Sequence, residues 1–256
     1  MSVQWAVVTG ASGGIGLECA RVLAQRGYNL VLVARSASNL ESAQKALATP
    51  NLKIVTIRLN LASPEAPAKL VEQTDALGII PDVLVNNAGV GCHGKFFDTP
   101  LPEQITMLRL NTEALIALSH LYGKKMRERK HGYILQVAST AAFQPIPYMG
   151  LYAATKSLVV SFSRSLNFEY QAQGVTSTVL CPGPTATKFF DEAKFTPGKE
   201  FSQLMMTADV VARKGIDAMF ARRDIYVAGT FNKIVTFFPR FVPVKFIMNS
   251  MEKVMK

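Results

Sequence analysis

The sequence predicts an α/β fold, a doubly wound parallel sheet in a single domain that ends in an amphipathic extension. Three observations carry this prediction. Short apolar, often β-branched runs alternate with helical stretches of roughly ten residues or more, which is the pattern of βαβ units. A glycine-rich turn follows the first apolar run, and polar residues recur at the ends of the later ones. No linker, repeat or shift of composition divides the chain.

The elements follow in order. Val3 to Thr9 reads as a first strand, and Gly10-Ala-Ser-Gly-Gly14-Ile-Gly16 turns the chain into a helix over Leu17 to Arg26 that Gly27 ends. Asn29 to Ala34 is a second strand, with a helix over Ser38 to Ala48. Leu52 to Leu59 is a third strand, and a helix spans Ser63 to Leu77, with Ser63 as N-cap and Pro64 in its first position. Val83 to Asn86 is the fourth strand, Pro102 to Lys130 a long helix and Gly132 to Ala138 the fifth strand. A helix carrying Tyr152 runs on to Tyr170, followed by a strand over Val175 to Leu180. A helix near Thr207 to Phe220 and a short strand over Ile225 to Ala228 complete the set. Right-handed crossovers make this a Rossmann-type sheet, with ligands bound beyond the carboxyl ends of the strands.

Composition narrows the function classes. Hydrophobic residues make up 49% of the 256 positions and charged ones 18%, enough to fill a globular core. The net charge of +10 is scattered, apart from Lys124 to Lys130 at the end of a helix, where cations complement the dipole. No nucleic-acid partner is expected. Cys19, Cys92 and Cys181 cannot all pair, and His93, His120 and His131 have no ligand spacing, so reduced thiols and no metal are expected. Met1 to Thr9 has no basic region ahead of an apolar stretch, and no apolar run reaches the ~20 residues of a membrane span. The expected location is cytoplasmic, with peripheral contact at a membrane as an alternative.

The residues with chemical potential sit at strand ends. Ser139 follows the fifth strand, and Tyr152 and Lys156, four apart, share one helix face. A free tyrosine titrates near pH ~10, and an ammonium one turn away favours the phenolate and lowers that value. Thr9-Gly10-x-x-x-Gly14-x-Gly16 lies between strand and helix, where glycines let the backbone approach a pyrophosphate at the helix N-terminus. The second strand ends in Val33-Ala34-Arg35-Ser36, with no acid for a ribose hydroxyl and a guanidinium for a 2′-phosphate, which favours NADP(H). Asn86-Asn87-Ala88-Gly89 ends the fourth strand, either pinning neighbouring backbone or making a turn. Asn111 lies within the long helix, either solvated or kept there for a task.

Taken together and in this order, with Pro182-Gly183-x-x-x-Thr187 added, these motifs resemble the short-chain dehydrogenase/reductase family in its single-domain form, from about Val3 to Ala228. The resemblance implies an NADP(H)-dependent oxidoreductase that interconverts a carbonyl and a secondary alcohol. Its catalytic tetrad would be Asn111, Ser139, Tyr152 and Lys156. Tyr152 would be the acid/base, Lys156 would lower its pKa and bind the nicotinamide ribose, Ser139 would hold the substrate oxygen, and Asn111 would position a water. Gly10, Ser12, Ile15, Gly16, Arg35, Ser36, Asn60, Leu61, Asn87, Ala88, Gly89, Pro182, Gly183, Thr185 and Thr187 would hold the cofactor with Tyr152 and Lys156. Asn60 stands where the family more often has aspartate, and Gly13 where NADP-preferring members often have a basic residue. The family also implies a homodimer or homotetramer paired through the long helices. The alternative is a catalytically weak NADP(H)-binding regulatory or membrane-associated module, against which the intact tetrad argues.

Two regions bear on the substrate. Phe143 to Leu151 would form one wall of its pocket, with Phe143 and Tyr148 as contacts beside Ser139 and Tyr152. Pro184 to Met206, the family's variable lid, carries Phe189, Phe190, Phe195, Phe201 and Leu204. These residues either line an apolar site or pack the lid onto its own domain. The domain is drawn over residues 1–230 and the extension over 231–256. The extension holds Lys233, Arg240, Lys245, Lys253 and Lys256 against Glu252 alone, with Val244, Ile247, Met248, Met251 and Met255 at helical spacing. Such a segment docks on its own lid, meets another subunit or lies on an anionic membrane.

Overall fold

The computed structural model describes residues 4–196, 198 and 202–255; Val3, Phe201 and Lys256 of the expectations above lie outside them. Seven strands form one sheet: β1 (Trp5–Thr9), β2 (Asn29–Ala34), β3 (Ile54–Arg58), β4 (Val83–Asn86), β5 (Gly132–Val137), β6 (Val175–Cys181) and β9 (Ile225–Val227). Their order is β3-β2-β1-β4-β5-β6-β9, and every neighbouring pair is parallel. This is the doubly wound Rossmann-type order with one strand added at the β6 edge. A separate two-stranded piece pairs β7 (Thr185–Ala186) with β8 (Met206–Thr207).

The strands are apolar on both faces because both are covered. Ala6, Val8, Leu30 and Leu32 face a layer built from α1 (Gly14–Gln25), α2 (Ala37–Leu47) and α8 (Ala208–Phe220). Their neighbours Val7, Val31 and Val33 face the opposite layer, with Leu70 of α3 (Ala66–Ala76) and Leu118 and Tyr122 of α5 (Ala114–Glu128). Helix α6 (Gly150–Tyr170) covers β5 and β6 on that side, its Val159 buried beside Val179.

Three helices differ from expectation, the first being α1, which begins at Gly14 within the glycine turn and not at Leu17. Helix α3 begins at Ala66 with Pro67 in its first turn; Ser63 and Pro64 lie in a preceding turn, where Ala66 N donates to the Ser63 carbonyl at 3.0 Å. The long helix is not one uniform α-helix. A π-helical stretch over Arg109–Glu113 separates α4 (Leu101–Leu108) from α5, and Ala114 N donates to the Arg109 carbonyl five residues back. One residue is thereby inserted into the turn that carries Asn111, and such bulges often serve functional sites.

After β6 come α7 (Phe189–Glu192), β8, α8 and β9, then α9 (Thr230–Phe237) and the terminal helix α10 (Val244–Met255). No helix among the described residues is long and apolar enough to cross a membrane.

Candidate active site

The order of the sheet reverses beside β1, whose neighbours are β2 and β4, and the cleft lies beyond the carboxyl ends of these strands. Its floor is held by side chains that bond backbone. Thr9 Oγ1 donates to the Val85 carbonyl (3.1 Å) and accepts from the amides of Asn87 and Ala88, both at 3.0 Å. Asn87 Nδ2 returns to the Thr9 and Gly10 carbonyls at 2.9 and 3.3 Å. Gly10 has φ +65°, and a Cβ on Gly16 would strike both the Gly10 carbonyl oxygen and Asn87 Nδ2, so close backbone approach makes both positions glycine. Asn86 points elsewhere, into a buried network with Gln136 and Ser119 (3.0 Å each).

One cleft of about 910 Å³ runs from this turn to the terminal helix. Of the residues expected to hold a cofactor, Gly10, Ser12, Ile15, Arg35, Ser36, Leu61, Asn87, Ala88, Gly89, Pro182, Gly183, Thr185 and Thr187 line it, together with Tyr152 and Lys156. Gly16 and Asn60 do not. Gly16 packs beneath the turn, and Asn60 is exposed and closes its own turn by accepting from Ala62 N at 3.2 Å. The lining fits a dinucleotide. The N-cap of α1 is Gly13, whose position leaves the first-turn amides without a side-chain acceptor, and an anion suits that helix end. Arg35 is exposed at the adjoining corner. Arg58, paired in register with Ala34, donates from Nε to the Arg35 carbonyl at 3.3 Å, bringing a second cation there. Sequence reading missed Arg58; the parallel neighbour of a strand end was the signal that could have found it.

At the middle of the cleft Ser139, Tyr152 and Lys156 come together. Ser139 caps the 3-10 turn Thr140–Phe143 and accepts from Ala141 N at 3.1 Å. Lys156 Nζ lies 5.7 Å from the Tyr152 ring centre and donates to the Val137 carbonyl at 2.9 Å. Burial lowers Lys156 to about 8. Burial also pushes the Tyr152 phenol up to about 12, against a smaller opposing effect of its hydrogen bond with Ser139. The expected lowering by Lys156 is not seen: loss of hydration sets the direction, and the Ser139 hydrogen bond is the influence that opposes it.

Asn111 is buried beneath these groups. Its amide exchanges two 2.9 Å hydrogen bonds with the backbone of Val90 and donates to Thr155 Oγ1 at 3.2 Å. Its side chain thus fixes the loop after β4 onto α6 and does not line the cleft.

The far half of the cleft is apolar. Ile146, Met149, Phe189, Phe190, Leu204, Met251, Val254 and Met255 line it. The Phe189 ring centre stands 5.3 Å from that of Tyr152. Phe143 and Tyr148 were expected here, but neither lines the cleft. Phe143 turns into the cluster of Leu115, Ala138 and Val159. Tyr148, at φ +64°, is directed to His93, with ring centres 5.8 Å apart, and to Glu252. Gln144, Ile146 and Met149 provide the wall of that loop. The lid phenylalanines divide between the two expectations: Phe189 and Phe190 line the cleft, whereas Phe195 is buried against His93, with ring centres 4.8 Å apart.

The inner face of α10 docks on this half. His93 Nε2 bonds the Met255 carbonyl (2.8 Å), Gln144 Nε2 meets Met251 Sδ (3.3 Å), and Tyr148 OH donates to Glu252 Oε1 (3.4 Å). The helical spacing of the methionines was visible in the sequence; the surface that receives them was not.

Comparison with known proteins agrees with this fold. Residues 4–197 match the family described as short chain dehydrogenase. The chain is similar to very-long-chain 3-oxoacyl-CoA reductase-A of Danio rerio, 31% identical over 81% of this chain and 66% of that protein. It is also similar to 17-beta-hydroxysteroid dehydrogenase type 3 of Rattus norvegicus, 30% identical over 75% of this chain and 64% of that protein. It thus spans just under two thirds of the length of either relative. Among solved structures it resembles an alcohol dehydrogenase from the archaeon Thermococcus sibiricus complexed with 5-hydroxy-NADP, with a TM-score of 0.77 and 26% identity over 88% of this chain and 96% of that one. The chain belongs to the short-chain dehydrogenase/reductase family of NAD(P)-dependent oxidoreductases.

Proposed function

We propose that this chain is an NADP(H)-dependent reductase that interconverts a carbonyl and a secondary alcohol on a bulky apolar substrate. The observation that carries the reading is the position of Tyr152, Ser139 and Lys156 at the junction of a glycine-built nucleotide end and an apolar end of one cleft. NADP(H), when bound there, would supply the hydride.

The chain's own residues do the rest. Tyr152, at about 12, keeps its proton at neutral pH and holds it on Oη ready for a carbonyl oxygen, so reduction is the direction that the resting ionisation suits. Ser139 Oγ orients that oxygen. Lys156, charged below about 8, would hold the nicotinamide ribose and favour the phenolate once the proton has left. Asn111 acts through Val90, as a positioning residue. Arg35, with Arg58 behind it, would hold the 2′-phosphate and so favour NADP(H) over NAD(H). Phe189, Phe190, Met149 and Met251 exclude water from the reacting carbon. Two relatives are named for very-long-chain acyl and steroid substrates, in keeping with an apolar pocket.

Exposed apolar residues on the long helices, Ile105, Ile116, Leu158 and Phe168, support pairing of copies into a homodimer or homotetramer. The test of the reaction is NADPH oxidation against a panel of steroid ketones, acyl thioesters, aldehydes and small ketones. Tyr152→Phe is expected to lower kcat by about 10²- to 10⁴-fold and leave NADPH binding in place. Turnover that survives this substitution would refute the role given to Tyr152.

A further inference from the structure

The terminal helices have two unlike faces. Inward, Ile247 and Met255 of α10 are buried and Met251 lines the cleft. Outward, the same helix presents Phe246 (67% exposed) with Asn249 and Lys253, three and seven residues on and so on the same face. Helix α9 repeats the arrangement. Asn232 and Thr236 are buried, and Phe231 and Ile234, with Phe238 just past the helix end, share the opposite, exposed face. Phe241, in the connection, is 70% exposed.

Bulky apolar side chains gathered on consecutive elements mark a contact surface, and the charges around it select the partner. Lys233, Lys245 and Lys253 are exposed within this segment, whereas its one acid, Glu252, is turned inward to Tyr148. The surface is also continuous with the mouth of the cleft: Leu204, Phe231 and Val254 line the cleft while remaining about half exposed.

We infer that residues 230–255 seat the mouth of the cleft on an anionic lipid bilayer, with Phe238, Phe241 and Phe246 entering the acyl boundary and the lysines meeting headgroups, so that an apolar substrate reaches Tyr152 from the bilayer. Aromatic residues with flanking lysines are the composition of interfacial segments. The access route rests on the reductase reading. The docking does not.

The test is sedimentation of the full chain with vesicles of phosphatidylcholine, alone or with about 30 mol% phosphatidylserine. The native chain is expected to pellet with the anionic vesicles, and less so as salt rises. The triple variant Phe238→Ser, Phe241→Ser, Phe246→Ser and the double variant Lys245→Glu, Lys253→Glu are each expected to lose about tenfold or more in partitioning. Both keep turnover of a water-soluble ketone, since none of these residues lines the cleft. A long-chain ketone dissolved in the vesicles is reduced more slowly by the triple variant.

Equal pelleting of native and variant chains would overturn the inference. So would a native chain that stays in solution, or a triple variant whose only change is conversion of a larger assembly into a smaller one; in that case the face joins copies of this chain. Sedimentation needs no turnover, so failure of the reductase reading leaves the docking result standing.

Discussion

The two ends of the cleft are built by different means. At the nucleotide end the walls are backbone, set by the turn between β1 and α1 and by Asn87 bonding the carbonyls of Thr9 and Gly10. At the substrate end the walls are side chains brought together from residues 144–149, 189–190, 204 and 251–255. Backbone walls tolerate almost no substitution, because each atom of the turn is another's neighbour. Side-chain walls can change shape while the sheet beneath them stays fixed. Relatives named for acyl and for steroid substrates are in keeping with this division.

Gly16 separates the two ends most sharply. A methyl there meets the Gly10 carbonyl and Asn87, neither of which can move without parting β1 from β4. Gly16→Ala is expected to cost about 1–3 kcal/mol of stability and to abolish measurable NADPH binding, read by thermal unfolding and nucleotide titration. Met251→Ala, which truncates a side chain that lines the other end, should leave NADPH binding intact. Equal loss of NADPH binding in both variants would mean that the two ends are not separate constructions.

Arg35→Asp comes next. It removes the cation that faces a 2′-phosphate and places an acid where a ribose hydroxyl can donate. NADPH affinity should fall by roughly ten- to a hundredfold, as for loss of a charge-assisted contact, while NADH affinity holds or rises. An unchanged preference would assign discrimination to Arg58 and remove it from Arg35.

The same division explains what could be read from the sequence. The nucleotide end was legible because its parts are local: the glycine turn, Arg35 at the end of β2 and Asn87 at the end of β4 each announce themselves within a few residues. Tyr152 and Lys156 were legible for the same reason, since helical spacing alone puts them on one face. The ionisation of Tyr152 was not legible, because the burial that pushes it up comes from distant segments such as Phe189. Phe143 and Tyr148 were misplaced because the loop between β5 and α6 contains the 3-10 turn Thr140–Phe143 and a positive φ at Tyr148, which redirect both rings. The methionine face of α10 could be seen, but docking is a property of two surfaces and only one was local.

Lys156 stands where the two ends meet, and its ionisation gives a graded test. Its folded-state pKa is depressed from the ordinary 10.5 to about 8, so the ammonium is present below that value and lost as pH rises through it. Because kcat/KM reports the free enzyme, kcat/KM for NADPH should be level below about pH 8 and fall toward tenfold per unit above it. A profile level to about pH 10 would mean that water reaches Lys156 and that the joint between the ends is not dry.

The smallest expected effect falls on the substrate end alone. Tyr148 reaches Glu252 of α10 over a long 3.4 Å hydrogen bond, while its ring keeps its place against His93. Tyr148→Phe removes the hydroxyl and leaves the ring, so the loop that positions Met149 is retained. Loss of one such bond is worth about 0.5–1.5 kcal/mol, and this length puts it near the lower bound. The expected outcome is a rise of about two- to fivefold in KM for a bulky ketone, with kcat, NADPH affinity and turnover of a small ketone unchanged. That selectivity for substrate size is the signature of a terminal helix that closes the apolar end without bearing on the chemistry; a fall in kcat for large and small ketones alike would instead tie α10 to the placement of Tyr152.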